Sequence, residues 1–256
     1  MTSTGHRASV TAEDTLRIID AWYGLRGDWQ RIPELCGPEY VRHEPTGTRT
    51  ATASQIQQEI EARGTVLQWE YNAFAEDDIA FVTWVAPNNA GGPLSGVQAY
   101  RVADGKLVET WISAVAPVAW PSPGTIGEGE PEANKRLLRR WYEEMYEQRR
   151  FEELAPQLCG PVFTRHEASG TFDVTAEEHG ARLATAVAAR DAEAGATTML
   201  PAYRVFAAGD RVGVIADSGR SGSYVQTWRV DNNKFVESWW AGFASASWDL
   251  SQGGSK

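Results

Sequence analysis

Cysteines and basic residues are both scarce in this sequence. The two cysteines, Cys36 and Cys159, are too few for a disulfide framework, and neither lies in a CxxC or Cys/His cluster that could hold zinc. The 24 Lys and Arg residues stand against 34 Asp and Glu, which gives a net charge of −10, and no basic run of five residues occurs. These features argue against nucleic acid and against an anionic membrane surface as partners.

Long apolar runs and cofactor motifs are absent as well. No stretch reaches the ~18 apolar residues that a membrane span requires, and residues 1–10 lack the apolar segment of a secretory signal. We therefore expect a cytoplasmic protein with no membrane partner. No glycine-rich phosphate loop or metal-ligand cluster occurs, so neither a cofactor nor a metal ion is expected.

Tryptophan, by contrast, is abundant. The chain has 11 Trp and only 3 Met, and 42% of its residues are hydrophobic. Large, rigid aromatic side chains bury much area, and they also build the walls of pockets for apolar ligands. The composition favours a hydrophobic small molecule as partner, with core packing alone as the other explanation.

The sequence repeats itself once. Three segments recur in the same order, namely Leu35–Pro38 as Leu158–Pro161, Arg42–Glu44 as Arg165–Glu167, and Lys106–Trp111 as Lys234–Trp239. Trp22 and Tyr23 match Trp141 and Tyr142 at a shorter spacing, which implies a four-residue insertion in the second copy. The pattern predicts two tandem domains, and so a pseudo-dimer within one chain. Whether whole chains form a further homodimer stays open.

A segment rich in proline and glycine separates the two copies. Residues 117–132 hold four prolines and three glycines, a composition typical of a linker. We place the boundary near Gly127, with one domain over residues 1–126 and the other over 127–256. Cys36 and Cys159 occupy equivalent positions, which indicates small core residues rather than catalytic thiols.

Within each copy, helical periodicity comes first and strand-like segments follow. Helices are predicted over residues 12–26, 28–36 and 52–63, and again over 131–148, 151–158 and 175–193. Strands are predicted over residues 66–75, 79–86, 96–102 and 107–116, and again over 198–207, 211–219, 223–230 and 235–244. This order predicts an α+β fold: two cone-shaped domains, each with helices packed on a curved antiparallel sheet around a pocket, in the manner of a cystatin-like α+β barrel.

Two motifs resemble those of a known family. Residues 40–45 with Gly47, and Asp104–Trp111, are similar to the "His-x-Pro" segment and the final strand of the SnoaL-like polyketide cyclase branch of the nuclear transport factor 2-like superfamily. The resemblance implies a cofactor-independent enzyme with an apolar pocket. The Asp that follows Trp in the family is Ile112 and Trp240 here, and the family's Pro is Ala168 in the second copy, so the acid/base role of that Asp does not transfer.

The recurring His and Glu residues are the candidate catalytic groups. His43 and His166 could exchange protons near neutral pH, and Glu109 and Glu237 lie two residues before a Trp on the same strand face. If that face lines the pocket, each Glu is a candidate general acid or base. The alternative is structural: each His shapes a turn, and each Glu pairs with an arginine of the neighbouring strand.

Other residues could line a pocket, or could show that the two copies differ in function. The candidate substrate-binding aromatic residues are Tyr40, Trp69, Trp84, Tyr100, Trp111, Tyr203, Trp228 and Trp239. A phenol among them could stabilise an enolate. Asp217 is a strand carboxylate that the first copy lacks, and a polar residue in only one pocket would indicate that one copy is active. His6 and His179 also lack counterparts and are expected at the surface.

These observations lead to a cyclase or isomerase as the leading hypothesis. The enzyme would act by acid/base chemistry on a hydrophobic secondary metabolite such as a polyketide or a terpenoid. A non-catalytic binding or carrier protein, an epoxide hydrolase and a dehydratase are the alternatives on the same fold. In a further alternative, one copy is a degenerate partner that completes the interface of the other.

Overall fold

The computed structural model describes residues 10–63, 69–194, 202–218 and 222–250. The predicted strand at 66–75 lies partly outside these residues, as does the one at 198–207, and His6 lies outside them entirely. None of the described helices is long and apolar enough to cross a membrane.

The first repeat builds one sheet with helices packed on it. Its helical segments are α1 (Ala12–Tyr23), a 3-10 turn (Trp29–Arg31), α2 (Ile32–Leu35) and α3 (Ala53–Arg63). Its strands are β1 (Cys36–Glu44), β2 (Gly47–Ala51), β3 (Glu70–Glu76), β4 (Ile79–Ala86), β5 (Leu94–Ala103) and β6 (Lys106–Trp111). They are ordered β2-β1-β6-β5-β4-β3.

The second repeat has the same plan. Its helical segments are α4 (Pro131–Arg140), a π-helical stretch (Trp141–Tyr146), α5 (Phe151–Leu158) and α6 (Ala176–Ala194). Its strands are β7 (Cys159–Glu167), β8 (Gly170–Thr175), β9 (Ala202–Ala208), β10 (Arg211–Asp217), β11 (Ser223–Asp231) and β12 (Lys234–Trp239). Their order, β8-β7-β12-β11-β10-β9, repeats that of the first sheet, so the predicted α+β class and the tandem duplication are confirmed.

Local sequence signals set several of the element boundaries. The Thr11 hydroxyl caps α1 by accepting a bond from the Asp14 amide at 3.1 Å. Thr52 and Gln55 form a reciprocal capping box at the start of α3. Asp77 and Asp104 adopt positive φ in the turns after β3 and β5, where Asp is one of the tolerated residues.

Each sheet is mixed, whereas the sequence predicted an antiparallel one. Strand β1 pairs with β6 in parallel and with β2 in antiparallel fashion, and β7 pairs in the same two ways with β12 and β8. The Gly-Pro pair after each Cys suggested a helix end followed by a loop. The backbone instead continues as a strand, with Pro38 at an exposed position near its start.

The predicted four-residue insertion lies after Tyr142, the counterpart of Tyr23. The helix of the second repeat continues there as a π-helical stretch to Tyr146, whereas α1 ends at Tyr23. π-Helical turns are rare and occur frequently at functional sites. Trp141, Tyr142 and Tyr146 all line the cavity described below.

The two repeats pack through the sheet faces that their own helices leave uncovered. A shared core of buried residues includes Phe81, Trp111, Ile215 and Trp239. Phe81 and Gly213 are equivalent positions, two residues into β4 and β10. A Cβ at Gly213 would lie 2.7 Å from Cδ1 of Phe81. The Phe81 ring therefore occupies the space beside Gly213, where the two repeats meet. A second Phe at position 213 would clash with it, so the two equivalent positions cannot both carry a ring.

Two tryptophans beyond the sheets tie the repeats together. Trp120 Nε1 donates to the Glu167 carbonyl oxygen at 2.9 Å, and Trp248 Nε1 donates to the Glu44 carbonyl oxygen at 3.2 Å. The main-chain nitrogens of the two tryptophans bind the equivalent hydroxyls of Ser95 and Ser223. Each repeat therefore supplies a segment that closes over the other.

Candidate active site in the second repeat

The recurring His and Glu residues do pair, as two matching networks. His43 Nε2 lies 2.8 Å from Glu109 Oε1, and His43 Nδ1 lies 2.9 Å from Thr48 Oγ1. Arg101 Nε donates to the other oxygen of Glu109 at 2.7 Å. The second network joins equivalent residues with bonds of 2.8–2.9 Å, namely Thr171, His166, Glu237 and Arg229.

Both networks lie at the interface between the repeats, not in a cavity. The His43 ring is stacked on Trp111 at 5.2 Å and faces Trp248 of the other repeat at 5.9 Å. His166 is enclosed in the same way by Trp239 and Trp120. His43, Glu109, His166 and Glu237 are not among the residues that line the cavities described below, and neither are Trp111 and Trp239. Their catalytic and substrate-binding roles stay predictions. Their strand face packs against the other sheet, and their alternate neighbours face the cavities.

The carboxylates of these networks contribute stability that depends on pH. Burial acts to raise the pKa of Glu109, but hydrogen bonds from His43 and Arg101 outweigh it and hold the pKa below its ordinary value of 4.5. A depressed pKa in the folded state gives stability that is present above the unfolded pKa and is lost as pH falls through the folded pKa.

We therefore expect the loss in unfolding free energy caused by Glu109→Gln to shrink once the pH falls below about 4.5. Urea unfolding of the wild type and the variant at a series of pH values measures this difference. Glu70→Gln, on the exposed side of β3, is the control. A difference between wild type and Glu109→Gln that stays constant with pH would contradict this role of the carboxylate.

The second repeat encloses a cavity of about 390 Å³ on the other face of its sheet. Aromatic side chains form much of its wall, including Trp141, Phe163, Trp228, Trp240 and Phe243. Its volume falls in the range of about 300–1,000 Å³ that is typical of small-molecule sites. Trp240 occupies the position of the family's Asp, so this residue contributes to the wall and supplies no proton-transfer group.

Two buried phenols meet at this cavity. The Tyr224 hydroxyl donates to the Tyr142 hydroxyl oxygen at 2.8 Å, and both rings line the cavity. Burial raises the pKa of both phenols well above the ordinary value of 10, so both stay protonated at neutral pH. Because two hydroxyl hydrogens share one mutual bond, the pair retains one hydrogen to donate to a ligand oxygen.

A charged group and an imidazole share the same cavity. The Arg165 guanidinium forms an ion pair with Glu167, and its Nη1 donates to His179 Nδ1 at 2.7 Å. Burial, with a smaller effect of Arg165 and Arg182, lowers the pKa of His179 to about 2. The ring is therefore neutral and holds Arg165 in place, and Glu167 is the carboxylate of the cavity wall.

The first repeat has a smaller cavity, of about 170 Å³. Tyr40, Trp69 and Tyr100 line it, and Trp228 lines the larger cavity of the second repeat. For these four residues a substrate-binding role stays a prediction. Trp84 and Tyr203 are not among the lining residues: Trp84 is buried behind Trp69, with ring centroids 4.8 Å apart, and Tyr203 packs outside against Tyr142.

His179, expected at the surface, is fully buried, and this part of the prediction is wrong. Its position in α6 corresponds to Ile56 in α3, so its periodicity was that of a core residue. The asymmetric polar group in the second cavity is thus His179 and not Asp217. Asp217 accepts a bond from Ser247 at 2.5 Å and is not among the cavity residues.

Sequence reasoning missed most of the polar groups of the second cavity. Arg165 and Glu167 flank His166, and only the histidine of the three was proposed as catalytic. Tyr142 is the counterpart of Tyr23, and Tyr146 lies just after it, in the segment that the insertion lengthens. That insertion was the signal that could have drawn attention to Tyr146. Among the described residues, no group of three or more His, Cys, Asp or Glu could hold a metal ion.

A larger groove of about 560 Å³ lies at the surface beside α4. It is lined by Glu128, Glu130, Arg136, Arg140 and the turn residues that precede β12. The lining is mostly polar and includes no aromatic ring. The aromatic cavity is therefore the better candidate for an apolar ligand.

The fold is a duplicated α+β domain with an aromatic cavity in each repeat. Residues 16–110, from α1 to the end of β6, match the family model of the SnoaL-like domain. The first repeat is therefore similar to the SnoaL-like domain, and the second repeat has the same strand order. No curated protein matches the chain.

Several solved structures are similar to this chain over the length of about one repeat. An NTF2-like protein of unknown function from Mesorhizobium loti is 23% identical, with 41% of this chain and 93% of that chain covered and a TM-score of 0.35. A steroid delta-isomerase from Pseudomonas aeruginosa is 16% identical, with coverages of 41% and 82% and a TM-score of 0.34. An LEH-like epoxide hydrolase from M. tuberculosis is 10% identical, with coverages of 39% and 81% and a TM-score of 0.34.

Proposed function

We propose that the second repeat is a cofactor-independent cyclase or isomerase that acts on a hydrophobic small molecule with an enolisable carbonyl group. The observation that carries the proposal is the juxtaposition, in one aromatic cavity, of a protonated phenol pair and an ion-paired carboxylate. A donor and a base beside one bound carbonyl group are what proton transfer at the adjacent carbon requires.

The chemistry assigns one task to each group. Glu167 takes a proton from the carbon next to the carbonyl, and the electron pair of the broken C–H bond moves toward the carbonyl oxygen. The Tyr142–Tyr224 pair donates a hydrogen bond to the resulting enolate oxygen. If a C=C bond is conjugated with the enolate, return of the proton from Glu167 to the far carbon of the dienolate moves the double bond and isomerises the substrate. Attack of the enolate carbon on a second carbonyl group instead closes a ring, and the alkoxide formed takes up the proton from Glu167.

The surrounding residues favour Glu167 as the base and the tyrosine pair as the hydrogen-bond donor. His179 cannot act as the base at neutral pH, because its pKa lies at about 2. Its bond to Arg165 fixes the guanidinium that in turn holds Glu167. The rings of Trp141, Trp228 and Trp240 form apolar walls suited to a flat substrate.

Exchange of carbon-bound hydrogen tests this proposal without knowledge of the natural substrate. We expect the protein to accelerate deuterium incorporation next to the carbonyl of 2-tetralone, a bicyclic ketone, in D₂O, followed by NMR. The buffer-catalysed rate and the rate with a Tyr142→Phe, Tyr224→Phe double variant are the controls. Binding of the ketone without faster exchange would indicate a carrier protein and contradict the proposed enzyme.

A further inference from the structure

The cavity of the first repeat has walls and dimensions of its own. It measures about 170 Å³, less than half of the 390 Å³ in the second repeat. An apolar protein cavity of about 150 Å³ is known to hold one benzene molecule. The first cavity therefore has room for a single six-membered ring with a small substituent.

Aromatic rings enclose this space on several sides. Trp22, Trp29 and Trp69 line it together with Tyr23 and Tyr100. The Tyr23 ring meets Trp69 edge to face, with centroids 5.7 Å apart, and stacks on Tyr71 at 4.5 Å. Walls of this kind favour a planar ring, because offset and edge-to-face contacts add to the burial of apolar area.

The polar groups of the first cavity favour an anion. Its lining residues include one ionised side chain, Arg42. Glu44, the counterpart of the Glu167 that lines the second cavity, is not among them. Glu44 contacts Arg42 at Nη2 and is held separately by Arg49. A guanidinium carries five N–H donors, so one carboxylate contact leaves donors for a ligand.

Two tyrosine hydroxyls fix the orientation of an amide in the same cavity. The hydroxyls of Tyr23 and Tyr100 both donate to Gln98 Oε1, at 3.0 and 2.8 Å. These bonds set the orientation of the amide and leave its NH₂ group as a donor for a ligand oxygen. Burial raises the pKa of both phenols, so neither contributes negative charge at neutral pH.

We propose that the first repeat is a separate binding site for a monocyclic aromatic carboxylate, with the ring between the tryptophans and the carboxylate at Arg42 and Gln98. This site does not depend on the activity proposed for the second repeat. The ligand is smaller than the molecules that the larger cavity can admit.

Matched variants allow a test with benzoate as the probe. Ile60 in α3 and Leu183 in α6 are equivalent, since each is the eighth residue of its helix, and each lines its own cavity. We expect calorimetric titration to show benzoate binding to the wild type and to Leu183→Trp with equal affinity. In Ile60→Trp the affinity should fall at least about tenfold. Unchanged affinity in Ile60→Trp, loss in Leu183→Trp alone, or no binding to the wild type would overturn the proposal.

A second pair of measurements tests whether the negative charge of benzoate contributes to binding. It also checks that the variants are folded. Benzamide has the shape of benzoate without its charge, and we expect it to bind at least about tenfold more weakly to the wild type. Arg42→Met keeps Glu44 paired with Arg49 and should abolish this preference. Circular dichroism establishes that each variant is folded. Equal affinities of the two probes for the wild type, or a preference that survives in folded Arg42→Met, would contradict the role of the guanidinium.

Discussion

Replacing Glu167 by Gln should lower the rate of enzyme-catalysed deuterium exchange by about 10²–10⁴-fold, the usual contribution of a positioned acid/base group. The amide keeps the shape of the side chain and can still accept a bond from Arg165, but it cannot take a proton. Rates extrapolated to saturating 2-tetralone separate this chemical effect from weaker binding.

The duplication supplies the control for this substitution. Glu44 is the counterpart of Glu167 and binds the corresponding arginine, Arg42, but it is not among the residues that line a cavity. Glu44→Gln should therefore leave the exchange rate unchanged within about twofold. If both variants lose the same activity, or if Glu167→Gln stays active, Glu167 is not the base.

The second large effect concerns the interface between the repeats. Trp248→Ala should lower the free energy of unfolding by about 3–5 kcal/mol, the usual cost of truncating a buried Trp. Trp248 is fully buried, packs beside the His43 ring and donates to the Glu44 carbonyl oxygen, so its loss leaves a cavity and removes a hydrogen bond between repeats.

Chemical denaturation measures the free energy of unfolding of Trp248→Ala. A substitution at the surface provides the control. Val115→Ala, at a side chain that is 40% exposed, should change the free energy of unfolding by no more than about 0.5 kcal/mol. A loss below about 1 kcal/mol in Trp248→Ala would mean that the segment beyond β12 contributes little to joining the repeats.

The fold was largely readable from the sequence, because the repeat and the strong periodicities agree. Residues 79–86 and 151–158 form the predicted strand and helix with the same bounds. Strands β1, β2, β7 and β8 were not predicted. Strands β1 and β7 begin with a Cys-Gly-Pro sequence that favours a loop, and each pairs in parallel with a strand far along the chain, which local pattern does not reveal.

The candidate site could be predicted only in part from the sequence, because of the way in which the two sheets are packed. Alternation along β6 placed Glu109 and Trp111 on one face. The ion pair of Glu109 with Arg101 matches the structural alternative, in which each Glu pairs with an arginine of the neighbouring strand. Alternation could not tell which face carries the cavity, because both faces of each sheet are covered. Helices cover one face and the other repeat covers the second, so β4 is buried along its whole length.

Because the two copies are fused in one chain, equivalent positions can carry different residues, which is not possible in a symmetric homodimer. Equivalent positions of a homodimer must carry the same residue, whereas here Phe81 faces Gly213 and Ile56 corresponds to His179. The cavities can then differ while the paired His–Glu networks keep the interface alike on both sides.

The exchange rate of 2-tetralone in the two matched cavity-filling variants tests the central claim most directly, namely that the chemistry takes place in the cavity of the second repeat. Leu183→Trp fills that cavity and should abolish the enzyme-catalysed exchange, whereas Ile60→Trp fills the first cavity and should leave the rate unchanged. Exchange that survives in Leu183→Trp and disappears in Ile60→Trp would place the active site in the first repeat and contradict this account.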